Sequence, residues 1–238
     1  MASLFFHEGI LKAGIETALE EDTARHVGQV LRMQPGETIM LTNGKGHHAS
    51  ATITKVQKRQ CTVAVSEVRF HERKQTALHL AVAFTKNSSR NEWILEKVTE
   101  LGVTTIIPLQ TTRSEREKFR YERWHNIIVA AIIQSQQYYL PELRELTAPD
   151  KLAQQMKNIQ QKLVAHCMEG ISRQSINKAL QKDKETLLLI GPEGDFTDEE
   201  VEFLTSEGFS GISMGDNRLR TETAAVTACA FFNMVNHG

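Results

Sequence analysis

The stretch "LLLIGPEGDFTDEE", residues 187–200, joins an unbroken aliphatic run to a turn and then to an acidic helix start. Continuous apolar runs are typical of strands buried on both faces of a parallel sheet. Thr197 and Glu200 form a capping-box pattern, and Phe196 and Val201 have the spacing of a hydrophobic staple. The stretch therefore predicts a strand, a loop and a helix. Its turn carries two glycines, a proline and a carboxylate, so we expect it to do more than reverse the chain.

Strands and helices alternate from residue 76 onward. The predicted strands are 78–84, 104–109, 162–166, 186–190 and 211–214, and the predicted helices are 90–101, 118–138, 173–181, 198–207 and 222–235. Ser89 with Glu92 predicts a second capping box, and Gly102 and Gly208 predict helix ends. This alternation predicts an α/β fold whose largely parallel sheet is covered on both faces.

Residues 1–72 have a different character. The stretches "ETIMLTNGKGHHASATITKV" and "QCTVAVSEVRF" alternate apolar and polar residues, and Asn43-Gly44 is a hairpin signal. They predict a small β-rich domain with one helix around residues 24–31. The charged link "HERKQ", residues 71–75, marks the boundary, which gives domains 1–72 and 73–238.

Composition limits the classes of function. The 238 residues are 40% hydrophobic with a formal net charge of -1, so an RNA-binding surface must be a local basic patch. No apolar run approaches the roughly 20 residues that span a bilayer, and the start resembles no signal peptide. Three cysteines without CxxC spacing argue against disulfides and zinc. We therefore expect a cytoplasmic protein with no membrane or metal partner.

A second polar loop, "MGDNRLRTETAAVTA" (214–228), follows the next predicted strand after "GPEGDF". Ligands of open parallel sheets bind at the carboxyl ends of the strands, so the two loops predict a pocket. Gly191 and Gly194 allow backbone to approach a ligand because no Cβ intervenes. The alternative is structural: a tight turn, a helix cap at Thr221 or Thr223, and surface charges.

Together the two loops resemble the paired signature of the SPOUT methyltransferases. More specifically, they resemble the ribosomal small subunit methyltransferase E family, which methylates N3 of uridine 1498 in 16S ribosomal RNA. "HVGQVLRMQPGE" (26–37), "WILEKVTELGVTTIIPL" (93–109) and "QSQQYYLPEL" (134–143) are similar to further motifs of that family. The resemblance thus covers essentially the whole chain.

The resemblance implies a PUA-like β-barrel for residues 1–72 and a SPOUT domain with a deep trefoil knot for residues 73–238. It implies S-adenosylmethionine (SAM) as cofactor and the small ribosomal subunit as partner. It also implies a homodimer whose active site draws on both subunits.

The site residues follow from the same resemblance. Arg220 and Glu222 are the expected catalytic residues, with Glu222 or Glu193 accepting the proton or holding the arginine. Arg25, Arg32, Lys86 and Arg90 are the expected RNA contacts. Arg25 and Arg32 are seven positions apart, so we expect them on one face of the first-domain helix, and Lys86 and Arg90 come at the end of the first strand of the larger domain. The expected cofactor-binding residues are Ile190, Gly191, Pro192, Glu193, Gly194, Met214, Gly215, Leu219, Thr221 and Thr223.

Some residues depart from the family pattern. Asp195 stands where relatives usually have a glycine, and Ile133 and Gln137 replace an acid and an arginine. Two other functions are consistent with the same sequence. One is a non-catalytic ribosome-binding module; the other is a SPOUT enzyme that acts on transfer RNA or on a ribose 2′-hydroxyl.

Overall fold

The computed structural model describes residues 3–73, 76–114 and 119–237. By its internal contacts the chain forms two units, Met1–Arg73 with Val129–Leu140, and Lys74–Ile128 with Pro141–Gly238. The sequence-based division kept residues 129–140 in the second domain. In the structure this segment pairs with the first unit, because the Gly46 N–H donates to Tyr138 O and the Leu140 N–H to Gly44 O, both at 2.8 Å.

The first unit contains one five-stranded sheet with the order β1-β3-β4-β5-β2. Its strands are β1 Leu4–Phe6, β2 Glu16–Ala18, β3 Thr38–Thr42, β4 His47–Val56 and β5 Cys61–Phe70. The predicted alternation is visible in β4 and β5, where every second residue of the central stretch is buried and joins the unit's core. A short helix, α1 Glu21–Arg25, continues as a π-helical turn, His26–Val30.

The prediction that Arg25 and Arg32 share one helix face is wrong. The helical segment ends at Leu31, and Arg32 has a φ of 53°, which lies in the left-handed region. Arg25 pairs instead with Asp22 on its own helix, 3.0 Å between Nη2 and Oδ1.

The second unit contains a seven-stranded sheet in which every pairing is parallel. Its order is β10-β12-β9-β11-β6-β7-β8. The strands are β6 Leu78–Val82, β7 Thr105–Pro108, β8 Glu142–Leu143, β9 Gln161–Ala165, β10 Gln174–Ser175, β11 Thr186–Ile190 and β12 Ser210–Ser213. The α/β class with a parallel sheet is thereby confirmed.

The helices of this fold are α2 Ser88–Glu100, α3 Tyr121–Gln134, α4 Pro149–Gln155, α5 Ile176–Ala179, α6 Asp198–Ser206 and α7 Thr221–His237. The short elements α4, β8 and β10 were not predicted, and residue 118, where the third helix was expected to begin, lies outside the described residues. Within the described part of the chain, no helix combines the length and apolarity needed to cross a membrane.

The stretch at 187–200 folds as its sequence predicts. The strand β11 is buried along its length between β6 and β9. The capping box is present: the Glu200 N–H donates to Thr197 Oγ1 at 3.2 Å, and the Thr197 N–H donates to Glu200 Oε2 at 2.9 Å. Phe196 and Val201 are fully buried in one core.

The prediction of a capping box formed by Ser89 and Glu92 is wrong. The helix begins one residue earlier and is capped by Asn87, whose Oδ1 accepts from the Arg90 N–H at 3.2 Å. Asparagine is among the preferred N-cap residues, and the extended backbone of Asn87, with φ -89° and ψ 100°, suits that position.

Candidate active site

A cleft of about 510 Å³ lies where the adjacent strands β9, β11 and β12 end. This volume falls in the range of about 300–1,000 Å³ found for small-molecule sites. Of the residues predicted for the site, those that line the cleft are Arg90, Ile190, Gly191, Pro192, Glu193, Met214, Gly215, Leu219, Arg220 and Thr221. Both loops selected from the sequence therefore form its walls.

Gly191 is required by close packing. A Cβ at this position would lie 2.9 Å from ring atoms of Phe196, which is fully buried. Gly215 has a φ of 121°, a backbone conformation that side-chain-bearing residues rarely adopt. The two glycines let the main chain itself face the cleft.

Hydrogen bonds connect the two loops. The Thr221 hydroxyl donates to Gly191 O at 3.2 Å and is buried. The Arg218 Nη2 donates to Glu193 O at 3.4 Å. The start of α7 is thus fastened to the turn after β11, which sets the width of the cleft.

Arg90 lies between two carboxylates. Its Nη1 is 2.9 Å from Glu193 Oε1, and its Nε is 3.6 Å from Glu222 Oε1. The Glu193 side chain is 51% exposed, whereas that of Glu222 is 13% exposed. The second oxygen of Glu222, Oε2, is buried and accepts no hydrogen bond from any described residue. Arg90, expected to contact RNA, therefore already has carboxylate partners at the cleft.

Arg220 differs from its neighbours. It is exposed, and its guanidinium forms no hydrogen bond or ion pair with the residues that the structure describes. A cation at the mouth of a cleft that has no partner in the described ranges is available to an anionic ligand or to charge that develops during a reaction.

The remaining predicted residues lie elsewhere. Gly194, Thr223, Glu222 and Lys86 are outside the lining of the cleft. Gly194 O accepts from Arg113 Nη1 at 2.9 Å, and Phe196 O accepts from the same nitrogen at 3.0 Å. Arg113 thus holds the turn from outside. Arg25 and Arg32 belong to the first unit.

Sequence reasoning missed the third wall of the cleft, which contains His166, Cys167 and Arg173. His166 immediately follows β9, so the rule that parallel-sheet ligands bind at carboxyl strand ends could have found it. Among the described residues, no group of three or more His, Cys, Asp or Glu side chains is arranged to hold a metal ion.

Comparison with known proteins gives this cleft its context. Residues 72–233 match the RNA methyltransferase domain family, and residues 19–66 match the RNA methyltransferase PUA domain family. The ribosomal RNA small subunit methyltransferase E of Bacillus subtilis is 30% identical over 220 residues, which span 87% of this chain and 85% of that protein. The chain belongs to the ribosomal RNA small subunit methyltransferase E family.

Solved structures agree with membership in the methyltransferase E family. A Legionella pneumophila protein in complex with the bound cofactor SAM has a TM-score of 0.90 and 32% identity, covering 99% of this chain and 98% of that one. The ribosomal RNA small subunit methyltransferase E of Neisseria gonorrhoeae, bound to SAM, has a TM-score of 0.86 and 25% identity. It covers 99% of this chain and 98% of its own.

Proposed function

We propose that the protein transfers a methyl group from SAM to N3 of a uridine in the 16S RNA of the small ribosomal subunit, the family position 1498. The observation that carries the proposal is the cleft between the two glycine-bearing loops, with Arg220 at its mouth and the enclosed Glu222 beside it. Membership in the methyltransferase E family and the SAM complexes of two similar proteins support it.

The residues present fit SAM. The cleft is open, its walls are main chain at Gly191 and Gly215, and the position of a Cβ on Gly215 meets no atom within 4 Å. Backbone groups of residues 190–194 and 214–219 would hold the adenosine and methionine parts. The cofactor supplies a methyl group that its sulfonium centre already activates for displacement.

Arg220 and Glu222 divide the remaining chemistry. N3 of uridine is an imide nitrogen that carries a proton, and losing it puts negative charge on the uracil oxygens. The guanidinium of Arg220 stabilises that charge. We assign the proton-accepting role to Glu222, because its Oε2 has no donor among the described residues and its Oε1 contacts Arg90, which lines the cleft, whereas Glu193 is half-exposed and paired with Arg90. Arg90 holds the other oxygen of Glu222 in place.

The target must be presented unpaired. N3 lies on the Watson–Crick edge, so a pairing partner would hide it, and the base has to be single-stranded or flipped out. Positioning of such a base against the donor contributes several kcal/mol of the acceleration. The PUA domain is the part of this family that we propose holds the surrounding RNA, with Arg25 and Arg32 among its contacts.

Two further properties belong to the same proposal. In the sheet, β12 lies on the opposite side of β9 from β11, so the chain after β11 must cross over the chain around β9. A trefoil knot requires such a crossing, and we propose that the chain is threaded there. A homodimer is supported by exposed apolar side chains on two helices that pack together, Trp93 of α2 at 41% and Met234 of α7 at 70%.

The test is a choice of substrates. Small ribosomal subunits from cells that lack this methylation, free 16S RNA and transfer RNA are incubated with labelled SAM. The modified nucleotide is then mapped by mass spectrometry. The proposal expects one methylated uridine base in 16S RNA. Label found only in transfer RNA or only on a ribose would assign the protein to another reaction, and absence of both transfer and SAM binding would indicate a non-catalytic module.

A further inference from the structure

His166 is a buried polar side chain whose ring has no hydrogen-bond partner in the described part of the chain. It directly follows β9, is 4% exposed and lines the cleft. Neither Nδ1 nor Nε2 has a hydrogen-bond partner among the described residues. The ring packs against Gly211 of the neighbouring strand β12, and a Cβ on Gly211 would lie only 2.7 Å from Nε2. The ring is therefore accommodated closely, yet none of its polar atoms is satisfied.

An unsatisfied buried polar group is costly, and most such groups in native proteins have a partner. Packing alone would be served by an apolar side chain of similar size. The backbone of His166 is fixed separately, because Arg173 Nη1 donates to its carbonyl oxygen at 2.9 Å. A group held rigidly at a cleft wall with two vacant hydrogen-bonding atoms is suited to a ligand that supplies the missing partner.

Asp195 connects this wall to the turn after β11. Its Oδ2 accepts from the Cys167 N–H at 2.7 Å, and its Oδ1 accepts from the Phe196 N–H at 2.8 Å. Asp195 has a φ of 65°, which costs free energy for a residue other than glycine but is tolerated best by Asp and Asn. The two carboxylate hydrogen bonds offset that cost and hold the segment after β9 against the cofactor loop.

We propose that His166 binds the methyl donor by a hydrogen bond from its neutral imidazole, and that Asp195 is the positioning residue that holds the His166 segment in place. This inference rests on the proposed function, since the ligand is SAM. A neutral imidazole offers one donor and one acceptor, so it can satisfy either kind of polar atom.

The surroundings favour the neutral ring. Burial lowers the pKa of His166, the Asp195 carboxylate opposes that shift and the Arg173 guanidinium adds to it. Cys167 is the other titratable neighbour on this wall. Because the net direction is downward, the neutral ring, with one donor and one acceptor nitrogen, persists to lower pH than in an ordinary histidine.

The first experiment uses the unaltered protein. Nitrogen-15 spectra of the histidine rings are recorded with and without saturating SAM, and His166 is assigned from the spectrum of His166→Leu. We expect one ring nitrogen of His166 to shift on binding, as a new hydrogen bond requires. Unchanged ring resonances under conditions where calorimetry shows SAM bound would overturn the inference.

The second experiment measures affinity by calorimetry. His166→Leu should raise the Kd for SAM about tenfold, as expected when one hydrogen bond to a buried group is lost. Asp195→Ala should displace the His166 resonances before SAM is added, whereas Asp195→Asn, which keeps an acceptor oxygen, should displace them less. Equal Kd values for parent and His166→Leu would contradict the assignment.

These outcomes separate the two proposals. If the parent protein binds no SAM, the proposed function fails. If the parent binds SAM and His166→Leu binds equally well, only the role of His166 fails. Thermal denaturation of each variant without SAM shows whether it is folded, and the spectra of the parent protein decide the question even if His166→Leu is not.

Discussion

The hydroxyl of Thr221 donates a hydrogen bond to the backbone oxygen of Gly191 at 3.2 Å, and this bond joins the first residue of α7 to the first residue after β11. Thr221 is only 4% exposed, so water does not replace the bond if it is lost. The two loops that form the cleft are thus held at a fixed separation by a contact that the ligand need not make.

Replacement of Thr221 by valine should weaken SAM binding. Valine keeps the shape but lacks the hydroxyl, so Gly191 O loses a buried donor at a cost of about 1–3 kcal/mol. We expect a Kd several-fold higher by calorimetry. Thr221→Ser keeps the hydroxyl and is the matched control. Valine and serine variants with the same affinity as the parent would show that the bond does not shape the cleft.

Gly191→Ala should destabilise the protein, because its Cβ would lie 2.9 Å from the buried Phe196 ring. Overpacking of this kind costs about 1–3 kcal/mol of the free energy of unfolding. Gly194→Ala is the control, since its Cβ would meet only Arg113 atoms at 3.5 Å, an ordinary contact. Urea unfolding of both variants measures the difference, and equal losses would contradict the packing argument.

Arg220→Ala should lower turnover far more than SAM affinity. The guanidinium forms no hydrogen bond or ion pair with the described residues, so its loss should remove mainly charge stabilisation during the reaction, which lowers kcat about 10²–10³-fold. Arg218→Ala is the comparison, because Arg218 already donates to Glu193 O at 3.4 Å. Single-turnover methylation assays and calorimetry give the two quantities. Parallel losses of turnover and affinity in Arg220→Ala would place Arg220 in cofactor binding instead.

The two carboxylates beside Arg90 should differ in importance. Glu222→Gln removes the proton acceptor that we propose and should reduce the methylation rate about 10²–10⁴-fold. Glu193→Gln, which alters a half-exposed partner of Arg90, should have a much smaller effect. The rate of methyl transfer at saturating SAM is the measurement. A larger loss of methylation rate in Glu193→Gln than in Glu222→Gln would make Glu193 the proton acceptor instead of Glu222.

The stability of the first unit should depend on the protonation of His48. His48 Nδ1 and His71 Nε2 share a hydrogen bond of 2.8 Å, and the Tyr138 ring stacks on both imidazoles. Burial lowers the pKa of His48 below its ordinary 6.5, and His71 and Arg69 add to this, while Glu67 opposes it.

A lowered histidine pKa means that the unfolded chain takes up a proton first as the pH falls. The stabilisation is therefore complete above the unfolded value of 6.5 and is lost as the pH falls through the folded value. Urea unfolding midpoints should rise with pH across this window. In the variant His48→Asn the urea midpoint should rise less steeply with pH than in the parent. Some pH dependence should remain, because the pKa of His166 is also lowered. The same dependence of the urea midpoint on pH in the parent and in His48→Asn would show that His48 does not cause it.

Local signals explain what the sequence could predict. The strand β11 and the capping box at Thr197 depend on neighbouring residues, and both are present; Phe196 and Val201, predicted as a staple, are buried in one core. Both cleft loops were identified because they follow buried strands.

The missed features depend on contacts that are distant in the chain. Residues 129–140 join the first unit through bonds to Gly44 and Gly46, which periodicity within a helix cannot show. Arg90 meets Glu193 103 positions away. The prediction that Arg25 and Arg32 share a helix face was wrong because the α-helix ends in a π-helical turn and Arg32 itself has a left-handed backbone.

The most direct test of the account is a crystal structure of the protein with SAM. The account predicts the donor between the turn at Gly191 and the loop from Met214 to Leu219, with a polar atom within hydrogen-bonding distance of His166. Density for SAM at any other place, or a cleft that stays empty at saturating SAM, would contradict it.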